Sequence, residues 1–394
     1  MAVTARGTSV ARVRRSVLPA RVRRSALPAR VRRSALPARV RRVAVVLAAL
    51  VLAGCGYGSL RDADPAPVAA SGPKLSVDVV RIGYLPNLTH ATPLVGVRDG
   101  FFARELGGTG VSDVVFNAGP SLIEAVNADS VDIGWIGPSP IINGYARAAG
   151  ANLRVISGSA SGGVRLVVRP EIGSARELKG RRIASPQLGN TQDVALLTWL
   201  ADQGLRVDAR SGRGDVSVVR TANAEAPSAY RTGAIDGAWA PEPTAAKLVA
   251  EGAKVLLEES DLWPGGSFAT TNVVVSQRFL AEHRDVVAAV LRGSVAANAW
   301  INANPARAKE SVNGALRRLT GKALPADVID RAWDSVEVTD DPLASTLATQ
   351  AAHAVALGLV EPPDLRGLYD LSLLNDVLRA AGRPEVTDAG LGAK

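Results

Sequence analysis

From residue 79 onward the chain repeats one unit: a short β-branched run, a loop with Gly or Pro, then a stretch with helical apolar spacing. No other feature restricts the fold as much. Buried strands are predicted at 79–85 (VVRIGYL), 111–116, 132–136 and 153–157, with helices at 93–102, 121–127 and 140–149 between them. A second series begins near Gly163 with VRLVVRP and continues through RIAS at 182–185, a helix at 191–203, a strand at 216–220, a helix at 224–231 and a strand at 235–239. A helix after Pro241 and a strand at 254–257 complete it, TNVVVS at 271–276 reads as a return strand, and helix follows to about Ala381. Such alternation predicts an α/β chain with parallel sheets covered by helices. Two series with the chain crossing between them twice make two α/β domains around a cleft, and ligands of open α/β sheets sit beyond the carboxyl ends of the strands.

The loops at those ends are 85–90, 117–121, 137–140, 157–163, 186–192 and 240–243, and nearly all combine Gly or Pro with Ser, Thr or Asn just before a helix. These residue types belong at helix starts. A helix start carries unpaired N–H groups and a partial positive charge, so several aimed into one cleft would receive an anion without a lysine or arginine. His90 is a possible donor to an oxyanion and equally a loop residue. Trp239 and Glu242 fit an apolar or ammonium-bearing tail, and equally a core aromatic and a first-turn acid. His283 and His353 lie in helical stretches and read as surface or packing residues.

Catalytic machinery is not evident. The sequence has no HExxH, no CxxC, no P-loop and no GxGxxG after a strand, and GSASG at 158–162 has Ala160 where a nucleophile elbow needs serine. No metal or cofactor is expected. Cys55 is the only cysteine, so no intrachain disulfide forms.

The formal charge of +9 invites a nucleic-acid reading, but residues 1–54 hold thirteen arginines, no lysine and no acid. Without them the 46 basic residues fall to 33 against 37 acids, so the remainder is mildly acidic. The arginines recur in a nine-residue repeat (ARVRRSALP) whose prolines break helix, and an apolar run of eleven at 43–53 follows. Eleven residues are too short for a bilayer and suit the core of a signal peptide. Residues 52–55, LAGC, resemble the lipobox of bacterial lipoproteins, which makes Cys55 the expected lipid-attachment site and 1–54 a signal peptide. No nucleic-acid partner is expected, since the arginines leave with that segment. Residues 55–75 read as a flexible tether.

Five segments carry a family resemblance: IGYLPNLTHATPLVGVRDGFF (82–102), FNAGPSLIEAV (116–126), DIGWIGPSPIINGY (132–145), SPQLGNTQDVAL (185–196) and DGAWAPEP (236–243). Together they resemble the nitrate/sulfonate/taurine class of ABC-importer binding proteins, and within it the aliphatic-sulfonate binders. The resemblance implies a type II periplasmic-binding fold, with lobe I at 76–160 and 265–394 and lobe II at 161–264, closing on ligand about a hinge. It implies an exported, lipid-anchored monomer that binds a small organosulfonate or related anion and hands it to an ABC permease with its ATPase. Nitrate, a thiamine-precursor pyrimidine and an enzyme on the same fold are the alternatives. Carried over by position, the implied ligand contacts are Asn87, Thr89, His90, Ser139, Ser161, Asn190, Thr191, Gln192, Trp239 and Glu242. Arg165 departs from the pattern, standing where relatives often carry a small or apolar residue.

Overall fold

The computed structural model describes residues 72–392. The signal-peptide reading of 1–54, the lipid site Cys55 and the tether as far as residue 71 lie outside the described residues.

Eleven strands are found among them: β1 (Val79–Tyr84), β2 (Gly110–Val115), β3 (Ile133–Ile136), β4 (Leu153–Gly162), β5 (Val164–Val168), β6 (Arg182–Ser185), β7 (Ser217–Arg220), β8 (Gly237–Pro241), β9 (Lys254–Glu258), β10 (Ala269–Ser276) and β11 (Val336–Val338). They form a six-stranded sheet in the order β11-β4-β10-β3-β1-β2 and a five-stranded sheet in the order β7-β6-β8-β5-β9. The chain passes to the second sheet at Gly162–Gly163 and returns between β9 and β10. Both glycines have φ near +70°, a conformation that costs other residues energy, so this reversal depends on them.

The sheets are mixed rather than parallel throughout. In the first, β1 pairs in parallel with β2 and β3, but the return strand β10 lies antiparallel between β3 and β4. In the second, β6 pairs in parallel with β7 and β8, while β5 runs antiparallel to β8 and β9. A strand that crosses from the other sheet enters without a covering helix, and so without the constraint that keeps βαβ neighbours parallel. The single helix predicted at 93–102 is two, Ala91–Arg98 and Phe101–Leu106. Gly100 between them sits at φ 76° and breaks the turn.

One device secures both sheets. Asp132, just before β3, accepts from the Arg81 amide at 2.7 Å and from its guanidinium, while its own amide donates to the Arg81 carbonyl. Asp236, just before β8, does the same to Arg182, with the amide at 2.9 Å. Each carboxylate thus locks the register of two parallel strands at their entry, and three residues further along each chain a tryptophan, Trp135 or Trp239, is fully buried.

Trp239 belongs to the core of the second sheet, with its ring centroid 5.9 Å from that of Trp199. Its indole donates to Glu259 at 2.6 Å. Burial pushes the Glu259 carboxyl up from 4.5 to about 7, with the indole bond opposing the shift. Between those values the native state holds a proton that the unfolded chain has released. The group's contribution is therefore complete below pH 4.5 and fades as pH rises through about 7. Glu259→Gln keeps an acceptor for the indole and removes the titration. Relative to the parent it should gain stability between about pH 5 and about pH 8, read from denaturation midpoints; a difference that does not vary with pH would refute this.

Candidate functional site

Three helices begin at one cavity: Gly119–Asn127, Pro138–Arg147 and Thr191–Asp202, through Gly119, Gly137 and the run Asn190, Thr191 and Gln192. The first loop adds Leu85, Asn87, Thr89 and His90, and the wall is completed by Asn223, Pro241, Thr270 and Thr271. Both sheets therefore contribute. None of these thirteen residues is an acid, a lysine or an arginine.

Local chemistry explains how each start is held. Pro138 and Pro140 have no N–H, so in the first turn of their helix Ser139 supplies the free amide, which donates to Thr191 Oγ1 at 3.3 Å. The start at Thr191 is fixed by Asp193, whose fully buried carboxylate accepts from Ser185 Oγ at 2.5 Å, from the Gly189 amide at 3.0 Å and from Arg220 Nε at 3.1 Å. A buried first-turn carboxylate with these partners ties the end of β6 to its loop. The Thr191 and Gln192 amides then point onward, without an acceptor inside the helix. In the first loop, the Leu88 amide donates to the Glu242 carbonyl at 2.9 Å, joining the two sheets at the cavity edge.

Three polar atoms here are buried with no hydrogen-bond partner among the described residues: His90 Nε2 and Thr271 Oγ1 in the lining, and Ser139 Oγ next to it. His90 Nδ1 lies 3.2 Å from Thr89 Oγ1. Burial lowers its pKa to about 3, with the nearby Trp135 backbone opposing weakly, so the imidazole is neutral at physiological pH. Neutral donors and helix dipoles favour an oxyanion, each start contributing ~0.3–1 kcal/mol when exposed and up to ~2 kcal/mol when partly buried. The cavity measures about 20 Å³, room for one water-sized group. A solute of several heavy atoms requires the walls to move apart.

Of the residues singled out in the sequence, Asn87, Thr89, His90, Asn190, Thr191 and Gln192 line the cavity and Ser139 adjoins it. The other three are placed elsewhere. Ser161 lies within β4, because residues 157–162 form strand rather than loop, and its hydroxyl accepts from the Phe268 amide at 3.3 Å. Trp239 is core. Glu242 is fully buried against Arg165 Nη1 at 2.8 Å and the Ala246 amide at 3.0 Å. Asn223, Thr270 and Thr271 went unnoticed in the sequence. Asn223 follows β7 in the same strand-to-helix position as the other loops, so that pattern was available to find it. Thr270 and Thr271 belong to a strand whose inward face no local pattern reveals.

Two mixed sheets, a double crossing and a cavity at the helix starts define the type II periplasmic-binding fold. The alkanesulfonate-binding protein SsuA from Xanthomonas axonopodis pv. citri, solved with MOPS bound, shares it with a TM-score of 0.60 at 23% identity, over 73% of this chain and 96% of that one. The chain belongs to the NMT1-like family, whose model matches residues 74–315. It is 29% identical to the taurine-binding periplasmic protein of Escherichia coli (strain K12) over 218 residues, 55% of this chain and 65% of that protein, just under two thirds of its length. It is also 29% identical to a putative aliphatic sulfonates-binding protein of Bacillus subtilis (strain 168) over 268 residues, 66% of this chain and 73% of the relative.

Gly137 marks how closely the two sides approach. A Cβ there would stand 2.4 Å from Thr191 Oγ1, although its φ of −71° suits any residue. Gly137→Ala should therefore cost about 1–3 kcal/mol by overpacking, and part of that loss should return when Thr191→Ala is added. Thermal midpoints of the parent, both single variants and the double variant check this; purely additive losses would contradict the contact.

Proposed function

We propose that the chain is the solute-binding component of an ABC importer, which takes up a small organosulfonate or related oxyanion outside the cytoplasm and delivers it to the permease and its ATPase. One observation carries the reading: three helix starts and the unpartnered atoms of His90 and Thr271 meet at one uncharged cavity built by both sheets. Such a wall suits a compact negative group and offers a positive one no counter-ion. The names of the relatives supply the solute class. Asn87, Thr89, His90, Ser139 and the run Asn190, Thr191 and Gln192 are the proposed contacts, with Asn223, Thr270 and Thr271 added. The two sheets act as lobes. Solute touches both only when they close, so binding and closure share their free energy, and the closed form is what the permease recognises. The small cavity favours nitrate as a second reading, since a planar four-atom anion needs the least movement of the walls.

Calorimetric titration with ethanesulfonate, taurine, nitrate and sulfate separates these readings. A sulfonate should bind with a micromolar constant, about 8 kcal/mol, and His90→Ala should weaken it by at least about tenfold. Binding of nitrate alone would establish the second reading, and no binding by any of the four would reject both.

Export and anchoring through Cys55 belong to the same proposal, supported by the basic flank, the apolar run and the small residues before the cysteine. Expressed in a bacterium, the protein should fractionate with membranes and carry a lipidated Cys55 at its mature N-terminus, while Cys55→Ser should be released. Mass spectrometry that found an unmodified Cys55 within a longer soluble chain would contradict the anchor.

A further inference from the structure

Two carboxylates directly follow lining residues, Asp193 after Gln192 and Glu242 after Pro241; Asp193 is taken up by Ser185, Gly189 and Arg220, which leaves Glu242 as the natural partner of a solute ammonium group. The structure gives both of its oxygens other work. Oε1 accepts from Arg165 Nη1 at 2.8 Å, Oε2 accepts from the Ala246 amide at 3.0 Å, and the side chain is fully buried. Arg165 is itself anchored on its other side, where Nε donates to both oxygens of Glu258 at 2.7 and 2.9 Å. The guanidinium therefore stands between two carboxylates and cannot follow Glu242 toward the cavity without abandoning Glu258.

We propose that Arg165 sets the specificity of the site by holding Glu242 away from the cavity, so that the chain prefers an oxyanion with an uncharged tail to one that carries an ammonium group. The inference rests on the sulfonate reading above and goes beyond it, since that reading embraces both kinds of solute. Its physical basis is an asymmetry in the wall. Helix starts and neutral amides and hydroxyls stabilise a negative head, while among the described residues no acidic side chain lines the cavity to compensate a buried cation. A desolvated ammonium without a counter-charge is strongly disfavoured. Burial also raises the Glu242 carboxyl to about 7, with the Ala246 amide and Arg165 opposing.

The test compares two probes of nearly equal length, ethanesulfonate and taurine (2-aminoethanesulfonate), by calorimetry on the folded parent protein and on Glu242→Gln. The parent should bind ethanesulfonate at least about tenfold more tightly, about 1.4 kcal/mol. Glu242→Gln, checked for folding by thermal unfolding, should keep that ratio within about threefold, because residue 242 does not touch the tail. Equal or tighter binding of taurine by the parent would overturn the proposal, as would a selective loss of taurine binding in Glu242→Gln. Should the variant fail to fold, the ratio in the parent decides alone. Binding of neither sulfonate would overturn the reading beneath it as well.

Discussion

Unpaired amides at a helix start are costly to bury unless something fixes where they point and what meets them, and most of the polar architecture serves that constraint. Asp193 shows how. A fully buried carboxylate is tolerated because four donors surround it: the Ser185 hydroxyl, the Gly189 amide and two nitrogens of Arg220. In return it holds the end of β6, the glycine loop and the first turn of the helix Thr191–Asp202 as one rigid piece. Breaking such a group of contacts by removing one partner costs far more than the pair contributes on its own. The Leu88 amide bonded to the Glu242 carbonyl and the Ser139 amide bonded to Thr191 Oγ1 then join that piece to the other sheet.

Charge is arranged so that the cavity itself has none. The Asp132–Arg81 and Asp236–Arg182 clamps stand at the amino ends of the parallel strands, with the length of the strand between them and the loops at the carboxyl ends. Arg165, Glu242 and Glu258 satisfy one another beside the crossing between the sheets. The wall is left with neutral donors and a neutral His90. An anion there is held by dipoles that are already oriented, so little reorganisation accompanies binding, and no side chain must lose a counter-ion first.

Much of the fold was legible because its period is local. The alternation of β-branched runs and helical spacing located nine of the eleven strands within about two residues, RIAS at 182–185 included, but stopped β4 at 157 and read the stretch holding β11 as helix. The Gly, Pro, Ser, Thr and Asn loops located the helix starts and, with them, Asn87, Thr89, His90, Ser139 and the run 190–192. Elsewhere, pairing between distant segments overrides what composition suggests. SGSASG at 157–162 resembles a loop by composition, yet pairing with β10 and β11 makes it strand, so Ser161 spends its hydroxyl on a backbone amide. Trp239 ends the strand read at 235–239 like a site residue, yet it falls in the middle of β8 and its face turns it into the core. For Glu242, a partner 77 positions earlier decides its role.

The sequence by itself determined approximately where most of the elements lie, and therefore which loops hold unpaired helix-start amides, because capping and strand propensities act over a few neighbouring residues. It also determined that the excess of positive over negative charge comes from residues 1–54. Only the tertiary structure decided which way β5 and β10 run, that Thr270 and Thr271 face the cavity, and that Arg165 engages Glu242. Those outcomes depend on pairings between segments far apart in the chain, and a hydrogen bond or ion pair exists only where folding brings both members within about 3 Å of each other.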